Sequence, residues 1–171
     1  NDQVKIPDAT IPKAVIDFSN QFDIIMLLKP DTTSKVATFF SKSDGLTKGI
    51  ELGIQVGASP QYIYIELYTG SVLTTITGTN VDLRDGGFHW IRVKRDGANL
   101  LTVSVDGIVE YSNTFAGDLT NTANLVFGNN FGKGSRHYNG YIAHARIYCG
   151  GYLTDSEYNI ISGSREQPLT M

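Results

Sequence analysis

The sequence predicts an all-β fold, a two-sheet antiparallel jelly-roll sandwich with one short C-terminal helix. Three observations predict it. Strand-like alternation recurs along the chain, separated by clusters of Gly, Asn, Asp and Ser. The stretch LRDGGFHWIRVKRDGANLLTVSVDG, residues 83–107, reads as turn, strand, tight turn, strand, turn. A helix-start signature stands at Thr154.

Strands are expected at 14–18, 22–28, 35–41, 49–56, 62–68, 71–76, 89–95, 100–105, 108–111, 123–127 and 137–148. This spacing fits a sandwich or barrel and not alternating βαβ units. The 89–95 and 100–105 pair is the best specified. Ile91 and Val93 alternate with Arg92 and Lys94, and Leu101, Val103 and Val105 alternate with Thr102 and Ser104. A period of two gives one apolar face and one wetter face. Asp85-Gly86, Asp96-Gly97 and Asp106-Gly107 supply turns, because Gly tolerates positive φ and Asp bonds its own backbone. Near the C-terminus, Thr154 and Glu157 form a capping box, Leu153 and Tyr158 a hydrophobic staple, and Gly163 a stop.

The 171 residues suit one domain, 1–171, with a real core, excised from or processed out of a larger protein. A formal charge of -3 argues against nucleic acid as the main partner. No apolar run reaches the ~18 residues of a membrane span. Arg92, Lys94 and Arg95 read as a solvated strand, with Arg95 pointing away from the other two. Cys149, the single cysteine, excludes an internal disulfide and reads as a small, partly buried residue. The histidines His89, His137 and His144 lack metal-ligand spacing, and His89 reads as a hydrogen-bonded core residue.

Three segments carry a family resemblance. Residues 15–30, VIDFSNQFDIIMLLKP, are followed by Asp31. The 83–107 hairpin contributes Asp85, Gly86, His89, Ile91, Val93, Arg95, Val105, Asp106 and Gly107, with Phe88 where a Trp is usual. Residues 138–157, YNGYIAHARIYCGGYLTDSE, contribute Gly140, Ile142, Arg146, Ile147, Tyr148, Leu153, Asp155 and Glu157. Together they resemble the concanavalin A-like lectin/glucanase superfamily, in its laminin G-like and pentraxin-like branch. The opening NDQVKIP is similar to the end of that family's first strand. The resemblance implies an extracellular, cell-surface or virion-surface module that recognises a glycan or glycoprotein.

The departures bear on chemistry. A laminin-type calcium site uses an acid in the loop that here reads Ala58-Ser59-Pro60-Gln61. Asn129 and Asn130 could supply carbonyl oxygens, but calcium takes six or more ligands, usually with carboxylates among them, so no cofactor is expected and calcium is kept as the alternative. The family's I-D-E position is Ala143-His144. The glucanase E-x-D-x-x-E strand is missing, and Glu51, Glu66, Glu110, Glu157 and Glu166 read as scattered, which speaks against an enzyme.

The positive signal is YIYIELY. Tyr62, Tyr64, Glu66 and Tyr68 fall on one strand face, while Ile63, Ile65 and Leu67 fall on the core face. Trp90 and Arg92 occupy the less apolar side of their own strand. Flat rings beside hydrogen-bonding groups suit a pyranose. A glycan site is therefore expected on the face bearing Tyr62, Tyr64, Glu66, Tyr68, Trp90 and Arg92, or on its rim at Asn129, Asn130, Arg136 and His137. The alternatives are an adhesion module that binds protein within a larger or homo-oligomeric surface assembly and, less favoured, a glycoside hydrolase or lyase. A glycan array separates the first alternative from the lectin reading.

Overall fold

The structure is a computed structural model of the chain and describes residues 4–7, 18–31, 37–44, 47–55, 60–70, 72–129 and 136–163. Its strands are β1 (Val4–Ile6), β2 (Phe22–Pro30), β3 (Ala37–Ser43), β4 (Lys48–Ile54), β5 (Ile63–Thr69), β6 (Val72–Thr77), β7 (His89–Arg95), β8 (Leu100–Val105), β9 (Ile108–Thr114), β10 (Leu125–Phe127) and β11 (Gly140–Cys149). One helix, α1 (Asp155–Gly163), follows. The strands form a six-stranded sheet ordered β1-β10-β3-β4-β5-β6 and a five-stranded sheet ordered β11-β2-β7-β8-β9. All named pairings are antiparallel. This is the predicted sandwich.

The core lies between the sheets. Ile50, Leu52, Ile63, Ile65 and Leu67 from the six-stranded sheet meet Ile24, Met26, Leu28, Ile91, Val93, Leu101 and Val103 from the other. Each set alternates along its strand, so residues of opposite parity point outward. Cys149 is half-buried against this core, as its sequence context implies.

Turn chemistry behaves as the sequence predicts. Asp106 and Gly107 have φ of 51° and 79°, the two positive values of a type I′ hairpin between β8 and β9. Asp96 accepts from the amides of Ala98 and Leu100. Boundaries shift where polarity hides a strand. β9 runs on through Ser112, Asn113 and Thr114, an exposed edge with no apolar alternation to announce it. β11 starts at Gly140 (φ 143°), whose close approach to the Lys29 carbonyl leaves no room for a Cβ. His137 therefore precedes the strand and makes an isolated bridge with Thr38. The expected strand at 14–18 lies outside the described residues except for Phe18, which is a buried core residue.

The basic cluster on β7 is not a solvated strand. Arg95 shares parity with Ile91 and Val93 and is wholly buried. It donates to the carbonyls of Asn20, Gly117 and Phe18, each at 2.6 Å, and its guanidinium lies over the rings of Phe22 and Phe115. Arg92 faces outward yet is only 5% exposed. It is occupied by Asp23 and Asp155 and by the Leu153 carbonyl, and it stacks 4.6 Å from the Tyr158 ring. These contacts tie the start of α1 to the outer face of the five-stranded sheet. The capping box is present: the Glu157 carboxylate accepts from the Thr154 amide, and the Thr154 hydroxyl accepts from the Glu157 amide.

Candidate glycan-binding site

Sequence alternation places Tyr64, Glu66 and Tyr68 off the core face of β5, and the structure agrees. It does not join them to Trp90 and Arg92. β5 belongs to the six-stranded sheet and β7 to the five-stranded one, and each turns its apolar residues to the shared core. The tyrosine face and the Trp90 face are therefore opposite outer surfaces of the sandwich. The expectation of one platform holding both is corrected, because strand parity fixes a face only within one sheet.

On the six-stranded side, Glu66 is the hub. Its carboxylate accepts from the Tyr64 hydroxyl at 2.6 Å, the Tyr68 hydroxyl at 2.7 Å and the Arg136 guanidinium at 2.9 Å. Burial first, and then Glu66, raise the pKa values of both tyrosines, so they remain neutral donors. Glu51 sits directly opposite Glu66 across β4 and β5, and Arg136 reaches to 4.0 Å from it. The reading of these two glutamates as scattered is corrected: cross-strand register brings together residues 15 apart in sequence. Glu51 and Glu66 are only 2% and 3% exposed, and both Glu66 oxygens are engaged by internal donors. Tyr62, half-buried just before β5, takes no part in these bonds. Asn129 is half-buried after β10, His137 is exposed, and Asn130 lies outside the described residues, as do Ala58 and Ser59 of the loop in which a laminin-type calcium site would carry its acid.

The five-stranded side is open. Between α1 and the outer face of β2, β7 and β11 runs a groove of about 750 Å³. Leu27, Phe88, Trp90, Ala143 and Tyr158 supply its apolar walls, and Asp106, Asn159 and Ser162 supply polar groups. Leu27 is the cross-strand partner of both Trp90 and His144. The Trp90 ring packs edge-on against His144 at 5.8 Å, which fixes its orientation. Phe88 is 51% exposed. The Tyr158 hydroxyl is buried, with no hydrogen-bond partner among the described residues. Of the groove residues, only Trp90 is a ligand contact expected from sequence. Tyr158 reads there as a helix staple, and Phe88 as a framework substitution. Arg92, expected from sequence to face a ligand, is engaged by the carboxylates of Asp23 and Asp155.

His89 secures one end of this groove. It is 3% exposed, with Nδ1 at 2.7 Å from Asp106 and Nε2 at 3.0 Å from Asp85. Burial alone would lower its pKa, but Asp106 and Asp85 together raise it above the ordinary 6.5. The folded state thus holds the proton more tightly than the unfolded chain. The resulting stability is fully present below the unfolded value and is lost as pH rises through the folded one. The melting-temperature gap between the wild type and His89→Gln is expected to be widest below about pH 6.5 and to narrow above neutrality. Melts across pH 5–8 check this, and a pH-independent gap would refute it.

Comparison with known proteins places the fold. The model of the concanavalin A-like lectin/glucanases superfamily matches residues 1–157. No curated protein sequence matches the chain. The CBM40 of the Ruminococcus gnavus IT-sialidase superposes with a TM-score of 0.69 at 17% identity, covering 94% of this chain and 92% of that one. Domain 4 of AbnA, a GH43 extracellular arabinanase from Geobacillus stearothermophilus, solved with arabinotriose, gives 0.62 at 21% identity, covering 91% and 69%. A heptameric SAP-like pentraxin from Limulus polyphemus gives 0.64 at 13% identity, covering 97% and 84%. No helix among the described residues is long and apolar enough to cross a membrane.

Proposed function

The chain belongs to the concanavalin A-like lectin/glucanases superfamily, and we propose that it is a non-catalytic glycan-recognition module acting at a cell, matrix or virion surface. The observation that carries this reading is the groove of about 750 Å³ beneath α1. There an oriented Trp90 and a half-exposed Phe88 stand beside Asp106, Asn159 and Ser162. A pyranose offers an apolar C–H face for such rings and hydroxyls for such polar tips. The similarity in fold to a CBM40 and to a domain solved with arabinotriose supports the reading.

Catalysis is disfavoured by the state of the carboxylates. Glycoside hydrolysis needs two that face the substrate. Glu51 and Glu66 are buried, with Glu66 engaged by three donors. Glu110 caps the loop at Thr79, Asn80 and Val81, and Glu157 caps α1.

A glycan array followed by titration tests the proposal. Reproducible hits are expected, and Trp90→Ala should weaken them about fivefold or more, since one stacking ring contributes on the order of 1 kcal/mol. Tyr64→Ala, on the opposite face, should leave affinity unchanged. A silent array favours the protein-binding alternative. Loss of binding with Tyr64→Ala and not Trp90→Ala would move the site to the six-stranded sheet.

A further inference from the structure

We propose that β6 is a self-association edge: two copies of the chain pair β6 against β6, antiparallel about a two-fold axis, and join their six-stranded sheets into one continuous sheet. This goes beyond the glycan reading and does not use its groove. A sheet edge exposes unpaired amides and carbonyls, and proteins blunt such edges with charge, bulges or short length. Among the described residues the edge strands are β1, β6, β9 and β11. β1 is three residues long. β9 is broken by a bulge at the charged Glu110, which falls between the pairs Tyr111–Val103 and Val109–Ser104. β11 is broken by a bulge at Ala143 and carries Arg146. β6 has none of these devices. It reads VLTTIT, without charge, Pro or Gly, and its register with β5 is unbroken from Thr69–Val72 to Tyr64–Thr77. Val72 and Leu73 are 59% and 49% exposed.

The partner that fits this edge is a second copy. The Gly78 amide donates to the Ile63 carbonyl of β5, so by alternation the backbone groups of Leu73, Thr75 and Thr77 point away from β5. A two-fold axis at Thr75 uses all three. Thr75 then pairs with itself, Leu73 with Thr77 and Thr74 with Ile76. Leu73, Thr75 and Thr77 share the outer face of β5's Tyr68, Glu66 and Tyr64, and Thr74 and Ile76 share the core face, so like faces meet in the dimer. Cross-strand pairs of Thr with Thr and of β-branched residues are favourable, and no charge on β6 is brought against itself. The two-fold contact closes at two copies. The groove beneath α1 stays open, because β2, β7 and β11 lie across the five-stranded sheet from β9, the strand that adjoins β6.

Sedimentation equilibrium across the micromolar range tests the assignment. Wild type should pass from one chain mass to two as concentration rises. Thr75→Lys should raise the dimer dissociation constant about tenfold or more, since it sets two ammonium groups opposite each other at the axis. Val109→Lys, on the β9 edge and 53% exposed in wild type, should leave the dimer intact. A single chain mass throughout would overturn the proposal. So would a dimer that Val109→Lys breaks and Thr75→Lys does not. Amide exchange of wild type gives a reading that needs no variant to fold. The amides of Leu73, Thr75 and Thr77 should exchange more slowly as concentration rises, and that of Val109 should not change. Dimerisation without added protection on β6 would overturn the assignment.

Discussion

Replacing Asp23 by Ala is expected to cost about 3–5 kcal/mol of stability, the range for removing one partner of a buried ion pair. Asp23 is fully buried on β2. Its carboxylate accepts from Arg92 Nη2 at 2.8 Å, from Arg92 Nε at 3.1 Å and from the Leu153 amide at 3.1 Å. Truncation leaves the Arg92 guanidinium without its buried counter-charge. Asp155, its other carboxylate partner, is 78% exposed at the side chain and compensates little. For a chain of 171 residues the loss corresponds to a fall in melting temperature on the order of 10 °C. The double variant Asp23→Leu, Arg92→Met should recover most of it, because apolar residues of similar volume often replace a buried pair at no net cost. A loss below about 1 kcal/mol for Asp23→Ala, measured by urea unfolding, would show that the clasp is not needed. The clasp also bears on the proposed function, since it seats the helix that forms one wall of the groove.

Arg95→Met is expected to be comparably damaging, at about 3–5 kcal/mol, for a different reason. Arg95 is not a surface cation but a wholly buried crosslink between the segments at 18–20 and 117. Met fills a similar volume between the Phe22 and Phe115 rings but donates nothing to the three carbonyls. Each buried acceptor left open costs about 1–3 kcal/mol, reduced where water can enter. Lys should rescue only part of the loss, because one ammonium lacks the planar fork that reaches three divergent oxygens. Unfolding free energies of the Met and Lys variants, compared with wild type, provide the measurement. A Met variant within about 1 kcal/mol of wild type would refute the crosslink.

Local chemistry made the strand content, the tight turns and the helix start legible in the sequence. Alternation at Ile63, Ile65 and Leu67 requires only that one side of a strand be apolar. The Asp106-Gly107 turn follows from backbone preference, and the Thr154–Glu157 box from reciprocal capping within one turn. The same locality explains the misplaced boundaries: the polar edge of β9 and the start of β11 depend on which strand lies alongside.

The candidate site was legible only in part, because its geometry is a matter of which strand pairs with which. Parity says that Tyr64 and Trp90 both leave the core, but only sheet membership says that they leave it in opposite directions. Glu51 meets Glu66 through register, and Arg136 joins them from 70 residues away. Arg92 becomes a clasp and not a free cation because Asp23, 69 residues distant, and the start of α1 converge on it. The strands, the turns, the helix and the apolar face of each strand are thus readable from the residues alone, since they depend on neighbours within a few positions. Long-range packing settles the rest: which aromatic rings share a surface, which charges are spent on one another, and that a groove opens beneath α1. Those outcomes depend on contacts made across dozens of residues, which no local pattern encodes.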